Sequence, residues 1–331
     1  MKNQLSRRDF LKSGAAAVGA LATAGALRKL EPALAASPEV TMPEPGNRAG
    51  VFFTKDLSAA GLQKMYARIN QNLTGKVAVK VHTGEPGGPN IIPREWIKAL
   101  LPVVPNPTIV ECNVFYGGPR GETAGHRQVL ETNGWTFAPV DIMDADGDVA
   151  LPVRGGRWFR EVAFGRNIVN YDSMLVLTHF KGHAMGGFGG SLKNISIGCA
   201  SGKGGKKQLH SDGSSSWGAT GARLMEHMAE GGKAVADHFG PRIVYINVLR
   251  NMSVDCDCDG SPAPVVTPDI GILASTDLLA LEQASVDMVY ALPPEQKRHL
   301  VERIESRDGL RQLSTMKELG MGTDQYELIV S

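Results

Sequence analysis

Cys256 and Cys258 stand two positions apart in an acidic run, Asp255-Cys256-Asp257-Cys258-Asp259. Paired thiolates of this kind suit a soft metal ion or an iron–sulfur cluster. In an extended segment, residues two apart project to the same side. The expectation is therefore that both sulfurs face one way and the three aspartates the other. The chain holds only four cysteines, so the set would be completed by Cys199 and Cys112, or by His179, His183 and His210 as imidazole ligands. A disulfide between Cys256 and Cys258 would close a small strained ring that ordinary bridge geometry disfavours. Free thiols in a loop are the plainer alternative.

A second group of chemically capable residues lies in Thr178-His179-Phe180-Lys181-Gly182-His183 and the stretch that follows it to His210. Nine glycines fall between Gly182 and Gly205, interleaved with Lys181, Lys193, Lys203, Lys206 and Lys207. This composition reads as a long glycine-rich loop, and a loop of that length inside a compact domain usually has a functional reason. Lys181, His183, Lys193 and Asn194 are the candidate catalytic residues, able to hold an anionic substrate and to supply an acid or base near neutrality. Gly189 and Gly190 would let backbone approach a ligand. A solvated basic loop is the competing reading. Neither a P-loop nor a G-x-G-x-x-G string occurs.

These residues need a scaffold, and the flanking pattern supplies one. Met174-Leu175-Val176-Leu177 is a compact apolar run of the kind buried in a parallel sheet. Further strands are expected at 76–82, 108–112, 137–140, 242–249, 270–274 and 326–330, with a hairpin over 149–165. Helices are expected near 58–72, from Pro93, and over 122–132, 219–238, 278–292, 294–306 and 309–319. The alternation predicts an α/β fold, a largely parallel sheet flanked by helices, with the glycine-rich loop at its carboxyl edge. Ligands of such sheets bind past the carboxyl ends of the strands. By that rule His82, Glu85, Asn113, Tyr116, Arg120, Ser275 and Asp277 join the candidate ligand-binding residues. Asp277 also fits the N-cap of the helix that starts at Leu278.

The N-terminus is a targeting segment. Ser6-Arg7-Arg8-Asp9-Phe10-Leu11-Lys12 precedes an apolar run, Gly14 to Leu27, and Ala33-Leu34-Ala35 fits a cleavage site. The run is too short and too rich in Ala and Gly to span a membrane well, so no stable insertion is expected after cleavage. The expected organisation is a twin-arginine signal peptide over 1–35, a linker over 36–50 and a single α/β domain over 51–331. The expected destination is the periplasm, with the twin-arginine translocase as a partner during export. The signal holds six basic and two acidic residues, leaving 29 basic and 32 acidic ones, a net charge of −3. A body this close to neutral argues against a nucleic-acid partner, while the clustered lysines suit a small anionic molecule.

Three groups of residues together resemble one known family. His179-Phe180-Lys181-Gly182-His183, Gly187 through Asn194 and Gly198-Cys199-Ala200-Ser201 are similar to the central motif of the domain of unknown function 362 family. Lys80 through Glu85, Asn113 through Arg120 and His126 resemble its N-terminal motif. Asp255-Cys256-Asp257-Cys258 and Asp269 through Ser275 resemble its C-terminal one. The resemblance implies an α/β domain, often joined to a ferredoxin-like module with two four-iron clusters. This chain lacks the C-x-x-C-x-x-C spacing of that module and has a cysteine-free, helix-like segment between His210 and Arg242. The leading functional expectation is a periplasmic metal- or iron–sulfur-dependent enzyme, an oxidoreductase, acting on a small anionic substrate. The alternative is a non-catalytic module that binds a small anionic ligand or cofactor.

Overall fold

A computed structural model of the chain describes residues 4–6 and 48–331. The apolar run of the signal, its cleavage site and most of the expected linker lie outside the described residues.

The strands are β1 (Gln4–Ser6), β2 (Ala49–Thr54), β3 (Val77–Lys80), β4 (Pro107–Glu111), β5 (Val140–Ile142), β6 (Asp148–Pro152), β7 (Glu161–Gly165), β8 (Ser173–His179), β9 (Lys181–His183), β10 (Gly187–Gly189), β11 (Ile243–Leu249), β12 (Gly271–Ser275) and β13 (Tyr326–Val330). The helices are α1 (Ala59–Ile69), α2 (Arg94–Leu100), α3 (Thr123–Thr132), α4 (Ser191–Cys199), α5 (Lys207–His210), α6 (Gly221–Phe239), α7 (Leu278–Tyr290), α8 (Pro294–Glu305) and α9 (Arg311–Glu318). The main sheet has the order β1-β13-β2-β12-β11-β8-β3-β4-β5. Strands β11, β8, β3, β4 and β5 run parallel, and β2 and β13 point the same way. Only β12 and the short edge strand β1 are antiparallel to their neighbours.

Both faces of this sheet are buried, and period-two alternation within one strand feeds both. In β8, Met174 and Val176 join the core that contains α4, α6 and α7, while Leu175 and Leu177 join the one built on α1 and α2. That double burial is why the strand reads as an unbroken apolar run. No helix of the described residues is long and apolar enough to cross a membrane.

Three expectations are corrected. Strand β2 begins at Ala49, inside the stretch read as linker to residue 50. Ala49 and Gly50 are poor strand formers, and pairing with β12 and β13 overrides that weak propensity. The glycine-rich segment after β8 is an ordered structure instead of a long loop. It forms the hairpin β9–β10, the helix α4, a π-turn over Gly202–Lys206 and the short helix α5. Strand β12 runs against its neighbours, so Ser275 pairs with Tyr245 near the start of β11 and lies at the amino edge of the parallel strands.

Candidate metal and ligand site

The carboxyl ends of β3, β4, β8 and β11 converge on one cavity of about 450 Å³. His82 follows β3, Glu111 ends β4 and Cys112 follows it, Lys181 and His183 come from β9, and Lys193 and Asn194 from α4. The loop after β11 supplies Asp255, Cys256, Cys258 and Asp259. Gly182 brings that loop onto β9. Its N–H donates to the Ser253 carbonyl at 2.8 Å, and a Cβ at 182 would collide with the backbone of Val254.

At the centre, one ligand atom each from His183, Cys256 and Cys258 lies within 4.8 Å of the other two. The two thiols are hydrogen-bonded to each other. Donation from Cys258, aided by Lys193 and Lys181 and opposed by burial, pulls Cys256 well below the ordinary thiol range, and the same bond together with burial pushes Cys258 up. Lys193 Nζ stands 3.9 Å from Cys256 Sγ. Burial, with the charge of Lys193 beside it, pushes His183 well below its usual value. Its Nδ1 accepts from the N–H of Gly186 at 2.8 Å and of Met185 at 3.3 Å. The nitrogen left for the cavity is therefore Nε2, carrying the ring proton.

Two thiolates and an imidazole are the donor types of soft transition-metal sites, and three protein ligands leave a fourth position open for substrate or water. Ligation through Nε2 would move the ring proton to Nδ1, against the Gly186 N–H, so loading an ion entails a shift of the ring or of the 184–186 turn.

The segment around the thiols is a turn, closed by the Asp259 N–H donating to the Cys256 carbonyl at 2.9 Å, and this corrects the extended geometry expected from sequence. Asp255 and Asp259 consequently line the cavity with the sulfurs. Asp257 points into the protein. Its carboxylate meets His179 Nδ1 at 2.9 Å and Lys181 Nζ at 3.0 Å. Burial alone would lower Lys181, but Asp257 and the thiols hold it raised and charged.

The remaining sequence candidates divide clearly. His179 is not available as a ligand in this arrangement, because its Nε2 also lies 2.6 Å from the Arg250 carbonyl. Cys199 is buried beneath the site, its Sγ directed at the Asn194 carbonyl, and does not join the donor group. His210 lines the cavity but spends Nδ1 on the Lys206 carbonyl at 2.7 Å, and burial lowers it to about 4. His82, Tyr116, Arg120, Gly189, Gly190 and Asn194 all line the cavity. Asn194 donates to Thr178 Oγ1 at 3.0 Å, which ties α4 to β8. Glu85 lies behind the wall, accepting from Tyr116 Oη at 2.6 Å and Arg120 Nε at 2.9 Å. Asn113 braces Thr123 and His126. Ser275 and Asp277 are at the far edge: Ser275 Oγ donates to the Gly50 carbonyl, and Asp277 caps α7 by accepting from the Ala280 N–H at 2.9 Å.

Five residues that shape the site were not among the candidate site residues. Lys80, fully buried at the end of β3, donates to Glu111 at 2.7 Å. Burial would raise Glu111, but Lys80, His82 and Arg120 hold it below the usual carboxylate range. A lysine ending an apolar strand signals such a partner, and the glutamate ending the adjacent strand is the natural one. Lys206, at the end of the π-turn, is lowered by burial and donates to the Ala200 carbonyl. Phe115 and Trp217 form an aromatic wall.

Fold and site thus define an exported α/β protein with a thiol–imidazole centre at the carboxyl edge of its sheet. The chain belongs to the family described as domain of unknown function (DUF362), whose sequence profile matches residues 77–287. Residues 4–25 match the twin-arginine translocation pathway signal sequence, which directs the protein to the periplasm. No curated protein matches the chain. Among solved structures, the lactate racemase apoprotein from Thermoanaerobacterium thermosaccharolyticum is similar at 13% identity and a TM-score of 0.35, over 63% of this chain and 53% of that one. A protein from Thermotoga maritima is similar at 9% identity and a TM-score of 0.40, over 78% and 58% respectively. The alignments span less than two thirds of either neighbour's length. At these values the likeness bears on neither activity nor ligand.

Proposed function

We propose that this protein is a periplasmic metal-dependent enzyme acting on a small anionic substrate. His183, Cys256 and Cys258 hold one soft ion, and Lys193, with Lys181 behind it, balances the charge of the substrate. The observation that carries this reading is the convergence of the three donors within 4.8 Å, beside a lysine and in the lining of one cavity. An iron–sulfur cluster held by four cysteines finds only two of them here, since Cys112 Sγ is directed at the Cys199 carbonyl and neither of those residues joins the group. The reading therefore narrows to a single ion. Bound there, iron or copper would supply redox chemistry and zinc a Lewis acid. The chain's own residues orient the substrate through Lys193 and flank it with Phe115 and Trp217.

The alternative, a module that binds an anionic ligand without a metal, is favoured by one observation: His183 Nδ1 already accepts two backbone N–H groups. Metal titration followed by thermal unfolding separates the two. The metal reading expects stabilisation by a thiophilic ion that Cys256→Ser removes. Stabilisation by anions alone, indifferent to chelators, would favour the binding module instead.

A further inference from the structure

The cavity lining holds two chemically distinct groups. His183, Cys256, Cys258 and Lys193 form one. In the other, Phe115 and Trp217 stack with ring centroids 4.7 Å apart and planes 27° from parallel. His210 links the two, its ring centroid 4.8 Å from that of Trp217 and its ring close enough to Lys193 to feel the ammonium charge. Ile197 and Met185 extend the apolar lining.

Two features of this arrangement are unspent. Trp217 sits on the turn-rich segment between α5 and α6 and is 41% exposed, although it is stacked on a second aromatic ring and borders the cavity. A tryptophan placed for core packing would be buried, whereas one half in solvent offers a flat apolar face to an incoming group. Lys193 is the other. Lys80 is paired with Glu111 and Lys181 with Asp257, but Lys193 forms no ion pair with a carboxylate among the described residues and has the Cys256 sulfur at 3.9 Å. A volume of about 450 Å³ is that of an organic-ligand pocket, well beyond what an inorganic ion fills.

We propose that the ligand of this cavity is a small aromatic carboxylate. Its carboxylate meets Lys193 beside the thiol–imidazole group, and its ring lies along Phe115 and Trp217. The proposal rests on reading this cavity as the functional site, but not on a metal being bound there.

Calorimetric titration of the mature, exported protein tests it, with benzoate, indole-3-acetate, acetate and benzyl alcohol as probes in metal-loaded and chelator-treated samples. Benzoate and indole-3-acetate are expected to bind roughly tenfold tighter than acetate or benzyl alcohol, a gap of the size aromatic stacking and a charge contact each supply. Trp217→Ala, at an exposed position, should erase the advantage over acetate, and Lys193→Gln the advantage over benzyl alcohol. Equal affinity for acetate and benzoate, discrimination that survives Trp217→Ala, or no binding by any probe overturns the proposal. Discrimination that is intact in protein unable to retain a metal supports it while removing the metal reading, so the two fail separately.

Discussion

Replacing Glu111 by Gln should be among the most damaging single changes near the site, and its cost follows from the charges it strands. Glu111 accepts from Lys80 Nζ at 2.7 Å, from the Thr83 N–H at 2.9 Å and from Thr83 Oγ1 at 3.1 Å, and Arg120 NH1 is 3.6 Å away. Both cations are buried. At 2.7 Å and an effective dielectric constant of about 20, the Lys80–Glu111 attraction alone is roughly 6 kcal/mol before desolvation is counted. Breaking a buried pair by removing one member typically costs about 3–5 kcal/mol, because the other charge stays buried. For a chain of this length that corresponds to a fall in melting temperature of roughly 6–10 °C.

The pH dependence gives a second handle. The folded-state value of Glu111 lies below its ordinary 4.5, so its contribution is fully present above that value and is lost as pH falls through the acid range. The gap between wild type and Glu111→Gln should therefore narrow on acidification from about pH 6 to about pH 3. A paired change, Lys80→Met with Glu111→Leu, should be less destabilised than Glu111→Gln alone, since no lysine is stranded. Scanning calorimetry across that range decides the matter. A melting temperature within about 2 °C of wild type near neutrality, or a gap indifferent to pH, would refute the reasoning.

Three further outcomes are expected. Gly190→Ala places a Cβ against the Glu282 carboxylate and should cost about 1–3 kcal/mol in urea unfolding, with Glu282→Asp as a partial rescue; an unchanged midpoint would show that the floor yields freely. Burial pushes Glu282 up to about 7, against hydrogen bonds from the Leu192 N–H, Asn247 and the Ser191 N–H and against the charge of Lys181. Wild type therefore loses stability as pH rises from its ordinary 4.5 toward 7, and the stability of Glu282→Gln relative to wild type should improve over that interval by on the order of 3 kcal/mol; a difference that is flat with pH contradicts this. Changing Arg7 and Arg8 together to Lys should leave folded protein in the cytoplasm, as read by fractionation, and continued export would mean that another route carries it.

Much of the scaffold was legible because its signals are local. Tyr326–Val330 and Ser173–His179 read as strands from their apolar runs, and α7 from its period and the Asp277 cap. The meeting of Cys256 and Cys258 with His183 and Lys193 was also legible, since strand ends in a parallel sheet share one edge. What escaped was non-local. Strand β12 carries no mark of its direction, so Ser275 and Asp277 were assigned to the wrong edge. Helix α4 is framed by glycines whose role is close packing, Gly190 against Glu282 being the clearest, and composition made them look like a loop. Asp257 was grouped with Asp255 and Asp259 on one side, and a β-turn at 256–259 breaks the alternation expected of an extended segment. The burial of Lys80 and Lys206 escaped because it depends on partners contributed from elsewhere in the chain.

The central claim is that His183, Cys256 and Cys258 hold one soft metal ion. Elemental analysis of the mature protein, folded in the cytoplasm and recovered from the periplasm, tests it most directly. The account predicts a stoichiometric thiophilic metal in wild type that Cys256→Ser and His183→Ala each abolish while the chain stays folded. Wild-type protein that is metal-free as isolated and takes up no ion on titration, or variants that retain the metal in full, would contradict it.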